Sequence, residues 1–329
     1  MKHFLEVGNL SIAEIEHVLE LSTYLNKSHE ETLLQTNVLF CFEKPSLRTK
    51  VGTEVAINQL GGRVIHIDPN AFLGGKIMHA KPIPGLDERE SLKDTVMNVS
   101  KWCDAIFTRV FSHETLLTLC NHSEIPVINA LSDEHHPMQA LADFRTIQQK
   151  YNHERVPITF IGDANNVARS LIEMGIRLGY PMGFAGPANY SWTTSMLDHF
   201  DQLSKTYKGS FMLFENAQAA AMASVVVYAD TFISMGEEDQ HDQKLQHFHG
   251  YQVNEKLMQL CPQDASFMHC LPAHRGVEVT NQVLDAENSL IYQQAENRMI
   301  VSKGLFTFLL TEQETDPQLT FKTRYQFNQ

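Results

Sequence analysis

Short runs rich in Val, Ile and Phe alternate along the chain with stretches whose apolar positions recur at helical spacing. That alternation most constrains the fold: parallel strands need crossovers long enough to hold a helix, so the pattern specifies α/β units with parallel sheets. A first series places strands at 37–42, 64–67, 104–108 and 126–129, with helices at 11–25, 48–60, 91–101 and 112–121. Ser11-Ile12-Ala13-Glu14 reads as a capping box opening the first helix, and Gly61-Gly62 stops the second. A second series follows a long helix at 136–151, with strands at 156–161, 182–185, 211–214, 225–228, 266–269 and 290–292 and a last helix at 295–311. With 329 residues the chain has room for about two domains. Residues 69–89 and 236–251 read as long loops. His241, His247 and His249 in the second lack companion Cys or carboxylate ligands at metal spacing, so that loop is read as solvated.

Charge narrows the partners. Lys and Arg number 26 against 39 Asp and Glu, a net charge of −13, which disfavours nucleic acid and anionic membrane surfaces. The longest apolar stretch, 217–229, is broken by Gln218 and Ser224 and falls short of the ~20 residues a spanning helix needs. Met1-Lys2-His3-Phe4-Leu5-Glu6 has no apolar core of a secretory signal. Five scattered cysteines (41, 103, 120, 261 and 270), never spaced as CxxC, suit a reducing cytoplasm rather than a disulfide or zinc framework.

Four constellations bear chemistry. Ser46-Leu47-Arg48-Thr49 stands at a strand-to-helix junction, where open backbone N–H groups favour an anion and an arginine fork suits phosphate. The same residues also fit an ordinary N-cap beside an exposed arginine. His136-Pro137-Met138-Gln139 puts two polar side chains three apart at a helix start, able to reach one substrate or simply to cap. His269-Cys270-Leu271-Pro272 follows a strand, where open α/β sheets bind ligands, although most lone cysteines are inert. Asp230-Thr231-Phe232-Ile233-Ser234-Met235 follows another strand, and its aspartate can hold an ammonium or form a turn. Gly162-Asp163-Ala164-Asn165-Asn166-Val167 lacks the GxGxxG glycines, so hydride chemistry has no fingerprint.

Taken in series, these segments resemble the aspartate/ornithine carbamoyltransferase family, on its ornithine side, from His3-Phe4-Leu5 to Ala295-Glu296-Asn297-Arg298. The resemblance implies two doubly wound α/β domains, each a parallel sheet flanked by helices, linked by long interdomain helices. Residues 1–134 would bind carbamoyl phosphate, 135–295 would bind ornithine, and 296–329 would pack back on the first domain. It implies carbamoyl transfer from carbamoyl phosphate to the δ-amine of L-ornithine, in arginine biosynthesis, without cofactor or metal, in a homotrimer or a multiple of it. Ser46, Leu47, Arg48, Thr49, Arg109, His136, Gln139 and Arg298 would bind carbamoyl phosphate. Asn166, Asp230, Ser234, Met235, Cys270 and Leu271 would bind ornithine, and Arg48, Arg109, His136, Asp230 and Cys270 would be catalytic.

The chain departs from the family pattern in places. Leu47 stands where threonine is common, and Lys50 where arginine is, which keeps charge but loses the fork. The segment 68–91 is longer than usual and lacks the glutamine that reaches a neighbouring subunit's substrate; Lys76, His79, Lys81 or Arg89 are the available substitutes. The alternative readings are transfer to an N-acylornithine or putrescine, or a non-catalytic paralogue that binds carbamoyl phosphate. Met235-Gly236-Glu237-Glu238, in place of the proline-rich loop of acylornithine members, favours free ornithine.

Overall fold

The computed structural model describes residues 2–28, 30–73, 91–233 and 241–311. The chain divides into two units, Met1–Leu141 with Arg298–Gln329, and Ala142–Asn297.

The first unit is built on a parallel sheet of order β2-β1-β3-β4: β1 Asn37–Phe42, β2 Arg63–Ile67, β3 Ala105–Arg109 and β4 Val127–Leu131. The run of buried residues from Val38 to Cys41 in β1, with Ala105 to Phe107 in β3, has the apolar continuity of strands covered on both faces. Helices α1 Ile12–Lys27, α2 Leu47–Gln59, α3 Pro69–Phe72, α4 Leu92–Trp102 and α5 His113–His122 belong to this unit. Leu39, Cys41, Phe72, Val96, Ile106 and Val127 share one core cluster. The capping box is formed: Glu14 N–H donates to Ser11 Oγ at 3.3 Å and Ser11 N–H to Glu14 Oε2 at 2.9 Å.

The second unit has a five-stranded parallel sheet of order β7-β6-β5-β8-β9, comprising β5 Ile158–Ile161, β6 Pro181–Ala185, β7 Ser210–Leu213, β8 Val226–Ala229 and β9 Ser266–His269. Its helices are α7 Asn166–Arg177, α8 Thr194–Thr206, α9 Ala217–Met222, α10 His241–His247, α11 Glu255–Met258 and α12 Asn281–Leu284. Two further helices, α6 Pro137–Lys150 and α13 Ile291–Thr311, contain the points at which the chain passes from one unit to the other. Each sheet has one switch of winding direction, between β1 and β3 and between β5 and β8, which opens a crevice at the strands' carboxyl ends.

Two sequence expectations are corrected. Residues 290–292 form no strand: Ser289 makes a single bridge to Phe267, Leu290 N–H donates to Phe267 O at 2.9 Å, and α13 begins at Ile291 rather than 295. The loops are also partly helical. Pro69–Phe72 is a short helix capped by Asp68, whose carboxylate accepts Asn70 N–H, and α10 lies within 236–251. Residues 76, 79, 81 and 89 lie outside the described residues, as does the side chain of His241. Among the described residues no helix is long and apolar enough to cross a membrane.

Candidate active site

In the first unit, Ser46 to Thr49 follow β1 and Arg109 ends β3, and Phe42 and Arg109 are register partners. These residues therefore stand at the carboxyl ends of the two strands that flank the switch point. Ser46 occupies the N-cap of α2, yet its hydroxyl makes no capping bond, and the first turn carries no acidic residue. Ser46 is thus an N-cap by position but not by side-chain bonding, and the arginine beside it is not fully exposed. The Ser46 hydroxyl therefore satisfies none of the backbone donors at this helix start, and no carboxylate in the first turn competes for their partial positive charge. Leu47 points away and is 72% exposed, whereas Thr49 is buried and Arg48 half-buried.

Arg298, buried in α13, gathers the rest. Its Nη2 donates to Thr49 Oγ1 at 2.9 Å, and its Nη1 donates to His136 Nε2 at 3.1 Å and to Gln139 Oε1. A guanidinium only donates, so His136 accepts through Nε2 and its single proton sits on Nδ1. Burial holds the His136 pKa well below the usual 6.5, and the positive charges of Arg298, Arg109 and Arg48 push in the same direction. The ring is a neutral N–H donor surrounded by guanidinium groups. The turn that presents it is fixed by Asn129, whose Nδ2 donates to Leu5 O at 2.8 Å and to Ser132 Oγ at 3.2 Å. His135 N–H closes the turn on Ser132 Oγ.

In the second unit the site residues follow β5, β8 and β9. Cys270 Sγ donates to Asp230 Oδ1 at 3.0 Å, and Asn165 Nδ2 donates to Asp230 Oδ2 at 2.9 Å. Both carboxylate oxygens are thus oriented by protein donors. Asn166 opens α7 next to Asn165, whereas Ser234 and Met235 lie outside the described residues. Leu271 has φ +57°, a strained value for a bulky residue, and its N–H is held by His269 Nδ1 at 2.9 Å. His269 Nε2 faces the fully buried Glu278 Oε1 at 3.4 Å, and Glu278 also accepts His274 N–H. Below them, Gln294 Oε1 accepts His269 N–H at 3.1 Å while its Nε2 donates to Asp143 Oδ1 at 2.6 Å. Atoms of metal-ligand type on Asp230, His269 and Cys270 come within 4.8 Å of one another. Two of those three residues, Asp230 and Cys270, are already hydrogen-bonded together, and His269 holds the backbone of Leu271, the neighbour of Cys270.

Sequence reasoning missed Asn165, Glu278 and the buried Asp143–Gln294 pair, and it named His269 within its motif without giving it a role. The Asn165-Asn166 pair before a helix carried an N-cap signal, but not one that says which of the two is the cap. Lys244 was missed as well: 1% exposed in α10, it donates to Asp163 Oδ2 at 2.6 Å and ties that helix to the turn after β5.

Two family profiles match almost the whole chain. Residues 2–149 match "Aspartate/ornithine carbamoyltransferase, carbamoyl-P binding domain", and residues 154–309 match "Aspartate/ornithine carbamoyltransferase, Asp/Orn binding domain". An ornithine carbamoyltransferase of Haloquadratum walsbyi is 37% identical over 312 residues, 94% of this chain and 98% of its own. A catabolic ornithine carbamoyltransferase of Thermoplasma volcanium is 37% identical over 302 residues, 91% of this chain and 95% of its own. The structure of ornithine carbamoyltransferase from Pyrococcus furiosus superposes with a TM-score of 0.85 at 33% identity, covering 94% of this chain and 97% of that one. With both domains matched and the same parallel sheets, the chain belongs to the aspartate/ornithine carbamoyltransferase family.

Proposed function

We propose that the protein transfers the carbamoyl group of carbamoyl phosphate to the δ-amine of L-ornithine, giving L-citrulline and phosphate, and serves arginine biosynthesis. The observation that carries this reading is the buried Arg298 guanidinium joined to Thr49, His136 and Gln139 beside an uncapped helix start. Such a cluster of donors suits a small dianion with a carbonyl, and the ornithine carbamoyltransferases it resembles support the choice of substrates.

Ser46, Arg48 and Thr49, with the α2 backbone around Leu47, hold the phosphate. Arg109 and the neutral His136 polarise the carbonyl oxygen with Arg298 nearby, and Gln139 orients the carbamoyl amide. Asp230 and Cys270 position the δ-amine, while Asn166, Ser234, Met235 and Leu271 hold the α-amino and carboxylate end. The neutral amine attacks the carbonyl carbon, and the tetrahedral oxyanion is stabilised by the donors already in place. Collapse breaks the bond to the phosphate oxygen, and the amine's proton leaves with the phosphate. Ser234 and Met235 would have no task with putrescine, which lacks an α-carboxylate, and that favours ornithine.

The assay supplies carbamoyl phosphate with ornithine, N-acetylornithine, N-succinylornithine, putrescine or aspartate and measures each ureido product. Citrulline alone is expected; silence with every acceptor sinks the enzymatic reading. The same groups serve either direction of the reaction, so the biosynthetic placement is tested by rescue of an arginine auxotroph lacking its own carbamoyltransferase.

A homotrimer in the cytoplasm completes the proposal. Leu47, Val51 and Ile65 are exposed apolar residues on α2 and the edge strand β2, the kind of surface another copy covers. All five cysteines are free, as suits a reducing compartment. Light scattering that returns a monomer would remove the trimer.

A further inference from the structure

The first unit contains a cavity of about 320 Å³ outside the site described above, where the C-terminal ends of α1 and α2 meet one face of α13. Its polar wall includes Lys303, which is 6% exposed and has no hydrogen bond or ion pair among the described residues. Lysine is almost never buried to this extent without a partner. Burial lowers the Lys303 pKa, in keeping with a charge that has no counter-ion. Ser28 Oγ, on the same wall, is also buried and makes no hydrogen bond among the described residues. A donor cation and a hydroxyl are thus desolvated together without partners among the described residues, which is what a ligand site leaves open when nothing is bound.

The shape and field of the cavity select the ligand. Its volume is about ten times the roughly 30 Å³ share of one water and lies at the low end of the ~300–1,000 Å³ range of small-molecule sites. α1 ends at Lys27 and α2 at Gln59, so both helices turn their C-terminal ends, which carry negative partial charge, toward the cavity. A simple anion would pair with Lys303 but meet both helix ends unfavourably, and a simple cation would meet Lys303. A molecule carrying a carboxylate and an ammonium on one carbon answers both. Leu25, Leu60 and Met299 supply an apolar wall for a side chain.

We propose that this cavity binds a zwitterionic α-amino acid, its carboxylate on Lys303 and Ser28 and its ammonium toward the ends of α1 and α2. The proposal is independent of the carbamoyltransferase reading. Met299 and Lys303 stand on the same helix as Arg298, and Met299 also packs against Gly52 of α2. A ligand here therefore touches both helices that carry the phosphate-binding residues.

Calorimetric titration of the full chain tests it, with glycine, L-alanine, L-leucine and L-arginine as probes and acetate, methylammonium and inorganic phosphate as partial ligands. Each titration is repeated in Lys303→Met or Ser28→Ala, so that binding elsewhere in the chain, which those variants leave unchanged, is subtracted. At least one amino acid is expected to bind saturably, with acetate and methylammonium each weaker by about tenfold or more. Lys303→Met, which removes an uncompensated buried charge and should fold, is expected to weaken binding about tenfold or more. Should Lys303→Met not fold, Ser28→Ala must weaken it by about threefold. Absence of saturable amino-acid binding, affinity unchanged in the folded variant, or a component of acetate or phosphate binding that the variant weakens and that is as tight as the amino acid's, each overturns the proposal.

Discussion

Asn165 holds Asp230 and the start of α7 with one side chain: its Nδ2 donates to Asp230 Oδ2 at 2.9 Å, and its Oδ1 accepts Val167 N–H at 3.1 Å and Ala168 N–H at 3.0 Å. The carboxylate proposed to position the acceptor amine is thereby fixed to a helix terminus.

Asn165→Ala should cost about 1 kcal/mol of stability from the lost cap and leave Asp230 free to turn. The expected kinetic result is a fall of about tenfold or more in kcat/KM for ornithine, with carbamoyl-phosphate affinity unchanged. Steady-state kinetics paired with direct carbamoyl-phosphate titration checks it, and equal losses for both substrates would contradict the positioning role.

Arg298→Lys keeps a positive charge but cannot span Thr49, His136 and Gln139 with one planar fork. Loss of a preorganised oxyanion donor typically costs ~10²–10³ in kcat, and a loss of that order is expected here. Stopped-time citrulline assays measure it. Full activity in the lysine variant would show that charge alone suffices.

The depressed His136 pKa has a stability consequence. The unfolded chain takes up a proton at this histidine near pH 6.5, whereas the folded chain refuses it until a lower pH. The stability this group contributes is therefore present above about pH 6.5 and is lost as pH falls toward the folded value, at up to about 1.4 kcal/mol per pH unit. Urea unfolding at pH 7.5 and pH 5.5 should show a larger acid loss in wild type than in His136→Gln. Parallel losses would place the ring in contact with water.

Gly304 in α13 lies against α1: an added Cβ would stand 2.1 Å from Ser22 Oγ and 2.5 Å from the Val18 carbonyl oxygen. The serine can rotate but the backbone carbonyl cannot, so Gly304→Ala should destabilise by about 1–3 kcal/mol despite the higher helix propensity of alanine. Thermal unfolding reads this directly, and an unchanged midpoint would mean that the two helices can separate without cost.

The α/β character of both sheets was legible in the sequence because each buried parallel strand is a short Val/Ile/Phe run bounded by a helical stretch. The same signal misled at Leu290-Ile291-Tyr292, a strand-like triplet that follows the single bridge of Ser289 to β9 and runs straight into α13. Helical period inside 236–251 was hidden by its charges and histidines. Within the candidate site, residues in contiguous motifs could be named from sequence. Asn165 was overlooked beside Asn166, since neither propensity nor spacing tells which of two adjacent amides turns toward Asp230. The burial of Glu278 and Lys303 was not legible at all, because burial of a charge depends on what distant segments place around it.

The first unit is discontinuous, Met1–Leu141 completed by Arg298–Gln329, with the second unit interposed in the chain. During synthesis from the N-terminus, the interposed segment emerges whole before the first unit can be finished. Arg298, which links Thr49, His136 and Gln139, is made only after every other member of that cluster. A nascent chain therefore has no assembled donor cluster until α13 emerges, and α13 then also supplies Ser302 to Thr53 and Thr307 to Thr32. Assembly of the anion-binding groups and closure of their unit are one late event in the life of each new molecule.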